Sequence, residues 1–290
     1  MTSPAASRSR LGTPVAEPEA RAAAPGQESR HGPIAQLLIA WSPLSAILLT
    51  YWLAQWITAP LGVGDGDDTN RLGAGLHVLG PARADEALLG TMPTVWLQAR
   101  LIDGSAHWYD ALAASVYVTH FLTIPLITAV VWFRLRDRFG EWLTAVLSLS
   151  LLGIVGYLAY PAAPPWLAAE RGDIGAVERI SHVGWQVLGL DPVGRLVELG
   201  QSGSNPVAAM PSLHAAAALL AALFLWPSVS RVSRVLLVVY PLAMAVTLVY
   251  TGEHYVVDVL AGWLVAVLGV GAARLARRRS GTAAAPGDAR

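Results

Sequence analysis

Two short segments, forty residues apart, place histidine in surroundings suited to catalysis. The first reads Pro-Ser-Leu-His and ends at His214, and in the second His254 is followed four residues later by Asp258. On a helix, His254 and Asp258 would share a face and could touch. A carboxylate bonded to one imidazole nitrogen fixes the tautomer and leaves the other nitrogen as a nucleophile or base. The spacing therefore predicts an activated histidine at position 254.

The first segment has the features of a phosphate site at the start of a helix. Pro211 is expected in the first helical turn, where its missing N–H costs nothing. The free backbone N–H groups of a helix start attract phosphate. Ser212 would add a hydroxyl donor, and His214 would stand close by as a proton donor.

The composition indicates that membrane helices position these residues. The chain has 290 residues, of which 54% are hydrophobic and 14% charged, whereas about a quarter of residues are charged in soluble domains. Every basic residue is arginine, and many lie at the ends of apolar runs, so no basic face is available for nucleic acid. Cysteine is absent, which excludes disulfides and thiolate metal sites.

Six stretches approach the roughly 20 apolar residues that a spanning helix needs. They are residues 34–57, 111–133, 142–160, 211–226, 232–250 and 255–273. The sequence therefore predicts an all-α membrane bundle of about six spans, in one domain that covers residues 34–279. Residues 1–33 contain no apolar core of the kind a signal peptide needs, and they and residues 280–290 are expected to be disordered cytoplasmic tails.

The arginines predict how the bundle is oriented in the cell membrane. They group after the second, fourth and sixth spans, at Arg134, Arg136 and Arg138, at Arg231 and Arg234, and at Arg274, Arg277, Arg278 and Arg279. Because arginine is enriched in cytoplasmic loops, both termini are expected to be cytoplasmic and both histidine segments extracytoplasmic. The external loops, 58–110 and 161–210, contain apolar pieces at 87–97 and 183–199 that predict interfacial helices.

Together the two histidine segments resemble motifs of the type 2 phosphatidic acid phosphatase superfamily. That family carries P-S-G-H as its second motif and S-R-x5-H-x3-D as its third, and the matches here end at His214 and Asp258. The resemblance implies that His254 attacks phosphorus to form a phosphohistidine, that Asp258 orients it, and that His214 protonates the leaving oxygen. It also implies that Ser212 holds a phosphate oxygen, and that no metal or other cofactor is required.

The usual phosphate-binding cations of that family are missing. With Pro165 aligned to the proline of the first motif, K-x6-R-P, Tyr157 and Pro164 stand where lysine and arginine are expected. In the third motif, Thr247 and Leu248 replace the serine and the arginine. A phosphoryl transition state needs cations or donors aimed at its oxygens, so other residues must supply them.

Two further departures indicate a particular branch of the family. Leucine replaces glycine in P-S-L-H, and Y-P-x-x-P-P-W lies upstream at Tyr160 to Trp166. Both features resemble the branch that contains inositol phosphorylceramide synthases and their bacterial relatives. The resemblance implies transfer of a phosphorylated headgroup between lipids rather than plain hydrolysis.

The external loops supply the candidates for substrate binding. Six loop arginines are available, at Arg71, Arg83, Arg100, Arg171, Arg179 and Arg195. Arg171 is the first choice, because it follows Pro165 and Trp166 by a few residues. Glu253 could bind a hydroxylated headgroup or simply be solvated. Asp110, at the outer entrance of the second span, could touch substrate or cap a helix.

The leading hypothesis is a lipid phosphotransferase whose donor is a phospholipid or polyprenyl phosphate ester and whose acceptor is a lipid or polyol hydroxyl. Its substrates would thus include a phospholipid, a sphingolipid-like lipid or a polyprenyl phosphate. Water as the acceptor would instead make it a lipid phosphate or pyrophosphate phosphatase. A non-catalytic transporter or scaffold is the third possibility.

For His254 and Asp258, a structural pair and an iron or zinc site also remain open. His120, within the second span, predicts an interhelical hydrogen bond in preference to a proton relay. The sequence does not indicate the oligomeric state.

Overall fold

The computed structural model describes residue 47, residues 49–59, residue 61 and residues 69–283, with side chains described as far as residue 279. Its named helices are α1 (Leu79–Leu89), α2 (Pro93–Leu101), α3 (Trp108–Arg134), α4 (Phe139–Ala159), α5 (Pro165–Glu170), α6 (Gly184–Val187), α7 (Asp191–Ser202), α8 (Leu213–Leu225), α9 (Arg231–Tyr250) and α10 (Val256–Ala283). Residues 49–58 are also helical. Short 3-10 turns at Arg136–Arg138 and Trp226–Ser228 precede α4 and follow α8.

The helices confirm the all-α membrane bundle. Within the described residues, four helical stretches are long and apolar enough to cross a membrane, and they contain α3, α4, α9 and α10. The fourth expected span corresponds to α8, an apolar helix of 13 residues that measures roughly 20 Å. The expected first span lies largely outside the described residues, and the tail at 1–33 lies wholly outside them. At the other end, α10 continues to Ala283, four residues past the boundary expected at 279.

Each expected interfacial segment is broken into two helices. The piece at 87–97 is interrupted at Gly90, whose φ of 74° ends α1 in the left-handed region, and Pro93 then begins α2. The piece at 183–199 is interrupted between α6 and α7, where Gly189 has a φ of 68°. Glycine tolerates this backbone conformation and proline suits a first helical turn, so the apolar pattern alone predicted helices that were too continuous.

Close packing places the start of α8 between α4 and α10. A Cβ added at Gly153 or Gly156 of α4 would overlap the side chain of Leu213 or Pro211. A Cβ added at Gly262 of α10 would overlap the backbone carbonyl oxygen of Ser212. Small residues let membrane helices approach closely. These glycines therefore fix where the residues preceding His214 lie.

The apolar core of α3, α4, α8 and α10 fills the other half of the bundle. Its largest members include Trp142 near the start of α4, Phe224 near the end of α8, and Leu149 and Leu220 between them. This core lies between the starts of α8 and α10, where both histidine segments are found, and the opposite end of the bundle.

Candidate active site

His214 and His254 line a common cavity of about 260 Å³. His214 is the second residue of α8, and His254 lies two residues before α10 begins. The centroids of the two imidazole rings are 5.5 Å apart. The structure therefore brings the two histidine segments to one site, as the sequence predicted, although their chemical roles stay predictions.

Asp258 meets His254 across the start of α10. Because α10 begins at Val256, the expected shared helical face is wrong: His254 precedes the helix, and the Asp258 side chain folds back from its first turn. Asp258 Oδ2 accepts a hydrogen bond of 2.9 Å from the Tyr255 N–H and lies 3.6 Å from His254 Nδ1. A carboxylate in the first turn favours such capping. The Nδ1 edge of His254 thus faces the carboxylate, which leaves Nε2 for chemistry.

Ser212 is the N-cap residue of α8. Its Oγ accepts a hydrogen bond of 3.3 Å from the Ala215 N–H, and its own N–H donates to the Asp258 backbone oxygen at 2.9 Å. Pro211 therefore precedes the cap and does not lie in the first helical turn, because serine caps a helix better than it continues one. Within the described part of the chain, the residues that line the cavity do not include the buried Ser212. Its phosphate-binding role stays a prediction.

Arg179 occupies the cavity wall where the sequence favoured Arg171. Arg179 lies over the Trp166 ring, 5.0 Å from its centroid, and both residues line the cavity. Arg171 follows the end of α5 and pairs with Asp173 at 3.6 Å, and it is not among the described residues that line the cavity. The geometry therefore favours Arg179 over Arg171 as the cation nearest the two histidines.

Backbone contacts with the turn between α9 and α10 explain this placement. The Ile180 N–H donates to the Thr251 oxygen at 3.2 Å, and the Trp166 N–H donates to the Gly252 oxygen at 3.2 Å. Gly252 has a φ of 77°, and a Cβ there would overlap the Glu178 carbonyl oxygen. Only glycine suits such a close, left-handed turn. The choice of Arg171 was guided by its distance along the chain from Trp166. That distance carries no information about which arginine the turn between α9 and α10 brings to the cavity.

Glu253 is buried and bound to protein donors. Its carboxylate accepts from Arg179 Nε and Nη2 at 2.9–3.1 Å, from Ser181 Oγ at 2.7 Å and from Gln201 Nε2 at 2.8 Å. Gln201 also donates to the Tyr117 hydroxyl at 3.0 Å. A buried carboxylate with this many donors fixes the orientation of its arginine partner. These contacts support a role for Glu253 in positioning Arg179. They give less support to a role for Glu253 as a ligand of the headgroup.

Asp110 lies away from the cavity, in the first turn of α3. Its Oδ2 accepts from the His107 N–H at 2.7 Å in a capping box, and its Oδ1 accepts from the Tyr250 hydroxyl. The cavity that Asp110 lines with Tyr250 is a separate one. The helix-cap interpretation accounts for these contacts, and none of them involves His214 or His254.

His120 is a third histidine on the cavity wall. Its ring centroid lies 3.9 Å from that of His214, and within the described residues its buried Nδ1 has no hydrogen-bond partner. The interhelical hydrogen bond that the sequence favoured is therefore not seen at this atom. The sequence singled out His120 because a polar residue within an apolar span usually has a polar partner or a functional role.

Asp85 of α1 caps α10 from a distant part of the sequence. Its two carboxylate oxygens accept hydrogen bonds of 2.9 Å each from the N–H groups of Val256 and Val257. Burial raises the pKa of the Asp85 carboxyl and the charge of Asp258 adds to the rise, while the two N–H donors act in the opposite direction. Helix α1 thereby holds the start of α10 beside His254, a contact that no local pattern predicted.

The described residues contain no group of three or more histidine, aspartate or glutamate side chains arranged to hold a metal ion. The site consists instead of two facing histidines, a buried carboxylate and a fixed guanidinium. A nucleophile, a proton donor and a cation for phosphate oxygens are the parts that phosphoryl transfer needs.

Comparison with known proteins identifies the family. The model of the PAP2 superfamily matches residues 82–272, about two thirds of the chain and all of the site described above. The chain belongs to the PAP2 superfamily. The resemblance inferred from its two histidine motifs, to the type 2 phosphatidic acid phosphatases, is thus confirmed.

Two relatives agree with the predicted branch of the PAP2 superfamily. The chain is 28% identical over 179 residues to a phosphoinositol dihydroceramide synthase of Bacteroides thetaiotaomicron, a region that covers 56% of this chain and 55% of that protein. It is 29% identical over 160 residues to the inositol phosphorylceramide synthase catalytic subunit aur1 of Schizosaccharomyces pombe, covering 51% of this chain and 33% of that protein. The chain thus spans about half the length of the first relative and a third of the second. No solved structure matches this PAP2 superfamily member.

The close approach of α10 to α8 yields a test of the site geometry. Gly262→Ala should lower turnover of a lipid phosphate ester roughly 100-fold, because its Cβ would push α10 away from Ser212, and a misplacement of about 1 Å has that effect on rate. Gly271→Ala, on the same helix, is the matched control, since its Cβ would have no atom within 4 Å. Initial rates of the purified variants measure both effects. Equal rates for the two variants would show that this contact does not position the histidines.

Proposed function

We propose that this chain is a lipid phosphotransferase that moves a phosphorylated headgroup through a phosphohistidine on His254. The observation that carries the proposal is the single cavity in which His254 faces His214 beside the fixed guanidinium of Arg179. Membership of the PAP2 superfamily and the synthase names of both relatives support it. The four helical stretches that are long and apolar enough to cross a membrane, within the described residues, support a lipid substrate.

In the first step, Nε2 of His254 attacks the phosphorus of the donor lipid. A P–N bond forms while the P–O bond to the leaving lipid alcohol breaks, and His214 gives a proton to that oxygen. Asp258, 3.6 Å from Nδ1, holds the ring orientation and stabilises the positive charge that develops.

In the second step, the hydroxyl of the acceptor attacks the phosphohistidine. His214 removes the hydroxyl proton, a new P–O bond forms, and the P–N bond to His254 breaks. Arg179 donates to the non-bridging oxygens in both steps and offsets the missing family cations. Its Nε and Nη2 are oriented by Glu253, so little side-chain entropy remains to be lost on binding.

The relatives' names narrow the substrates that we propose. Both names join a phosphoinositol group to a ceramide-type lipid. We therefore infer an inositol phospholipid as the donor and a ceramide-type hydroxyl as the acceptor. The hydroxyl of a ceramide-type lipid is the acceptor that both relatives' names support.

The proposed location of the site is the extracytoplasmic face of the cell membrane, with both termini in the cytoplasm. The arginines support this orientation, because Arg138, Arg274 and Arg277 meet at the end of the bundle opposite His254. Arginine is enriched on the cytoplasmic side of membrane proteins.

Reconstitution of the full chain with labelled phosphatidylinositol and a short-chain ceramide tests the proposal. We expect labelled phosphoinositol to appear on the ceramide, in an amount that rises with acceptor and is lost in His254→Gln. Release of inorganic phosphate from a simple lipid phosphate, with no transfer product at any acceptor concentration, would show a phosphatase instead. Absence of both reactions in the wild type, with cellular function intact in His254→Ala, would show a transporter or scaffold.

A further inference from the structure

A second polar cavity, of about 430 Å³, lies at the far end of the bundle. It is formed by the start of α4, the link between α8 and α9, and the last turns of α10, and its lining residues are Arg138, Glu141, Pro227, Ser228, Arg274, Arg277 and Arg278. Arg274 follows Val256, the first residue of α10, by eighteen residues on a continuous helix, which corresponds to roughly 27 Å. This cavity, named here the arginine cavity, is therefore separate from the catalytic one.

Hydrogen bonds hold the inner wall of the arginine cavity in place. Glu141 is buried, accepts from Arg138 Nε at 3.1 Å and pairs with Arg277 Nη1 at 3.5 Å. Arg138 also donates to Ser228 Oγ at 2.9 Å and to the Phe224 oxygen at 3.3 Å, and it lies over the Phe224 ring. Because Ser228 Oγ accepts from Arg138, its own hydroxyl hydrogen can point to a ligand. The wall therefore presents oriented donors.

The charges of the arginine cavity favour an anion. Four arginines and one carboxylate, Glu141, line it, so the lining has a net positive charge. Guanidinium groups match the oxygens of phosphate with paired, charge-assisted hydrogen bonds. A phosphate group would balance the charge and accept from both the arginines and Ser228.

Aromatic residues place the arginine cavity at the depth of lipid headgroups. Trp226 adjoins Pro227 of the lining, is 39% exposed, and has Arg234 over its ring. Trp132 lies at the same end of the bundle, is 40% exposed, and has Arg136 over its ring. Exposed tryptophans beside arginines are typical of the membrane interface. A phosphate at this depth is more readily supplied by a lipid than by the aqueous phase.

We propose that the arginine cavity binds the phosphate headgroup of an anionic phospholipid in the leaflet opposite the catalytic cavity. Basic pockets between membrane helices bind such headgroups. The bound lipid would tie together α4, the α8–α9 link and α10, the same helices that frame the start of α8. This site is independent of the phosphotransferase proposal, because none of its residues lines the catalytic cavity.

Lipid titration of the purified full chain tests this proposal. Native mass spectrometry would measure binding of phosphatidylglycerol and of phosphatidylcholine to the wild type and to two double variants. Arg274→Gln with Arg277→Gln should weaken phosphatidylglycerol binding roughly 30-fold, given the usual contribution of each interfacial arginine. Arg134→Gln with Arg136→Gln removes the same charge at the same end, outside the arginine cavity, and should change binding less than about 3-fold.

A single variant shows whether the double variant loses binding only because it misfolds. Arg274→Gln leaves both Glu141 pairs intact and should weaken binding about 5-fold. Equal losses in the two double variants would show diffuse surface attraction and overturn the proposal, as would equal binding of both lipids by the wild type. Displacement of phosphatidylglycerol by millimolar inorganic phosphate would assign the cavity to a soluble anion and likewise overturn it.

Discussion

His254→Gln is expected to lower turnover of the lipid donor by roughly 10⁴- to 10⁶-fold, as loss of a catalytic nucleophile does in other enzymes. Glutamine keeps the size and polarity of the side chain but cannot form the P–N bond. His214, whose ring centroid is 5.5 Å from that of His254, has proton transfer as its proposed task and stays in place in this variant. Steady-state rates with labelled donor measure the loss in kcat.

A measurement of donor binding to His254→Gln distinguishes loss of the chemical step from loss of the folded structure. We expect the Kd for the donor lipid to change little in His254→Gln, since we propose that Arg179 and its neighbours bind the headgroup. Asp258→Asn should retain more activity than His254→Gln, because it weakens the orientation of the His254 ring but leaves the nucleophile in place. Turnover of His254→Gln within tenfold of the wild type would exclude His254 as the nucleophile.

Arg179→Gln is expected to lower turnover roughly 10²- to 10³-fold, the usual effect of removing one group that stabilises transition-state charge. Its guanidinium lies on the cavity wall, where the usual family cations are absent. Arg171→Gln is the matched control, because Arg171 lies eight residues before Arg179 and pairs with Asp173. It should change turnover by less than about 3-fold, as surface ion pairs contribute little.

Removal of Arg179 also leaves the buried carboxylate of Glu253 without its main partner, which is itself destabilising. The double variant Arg179→Gln with Glu253→Gln removes both charges and keeps the contacts to Ser181 and Gln201 feasible. If Arg179 binds phosphate, the double variant should be as inactive as Arg179→Gln. Recovery of turnover in the double variant, or a larger loss in Arg171→Gln, would contradict the assignment.

The features that the sequence predicted correctly are those that depend on local pattern. Apolar runs of about twenty residues have few alternatives to a membrane helix, so the all-α bundle followed from their lengths. His214 and His254 lie near the starts of α8 and α10, two helices separated by the single span α9, so the starts of both lie on the same side. Their meeting at one cavity therefore follows from topology.

The features that the sequence missed depend on tertiary contacts. Arg179 reaches the cavity because the backbones of Ile180 and Trp166 bond to the turn before α10. Asp85 caps α10 from 171 residues away. Neither contact leaves a periodic or motif signal in a single chain, whereas Gly90 and Gly189 were visible and their helix-breaking effect was underestimated.

The most direct test of the central claim is to trap the covalent intermediate. Purified full chain is incubated with donor lipid labelled at phosphorus, without acceptor, and the denatured protein is examined for bound label. We predict label on the wild type that survives alkali, is released by acid as a P–N bond requires, and is unaffected by chelators. We predict no label on His254→Gln, whereas labelling of that variant to the level of the wild type would contradict the mechanism.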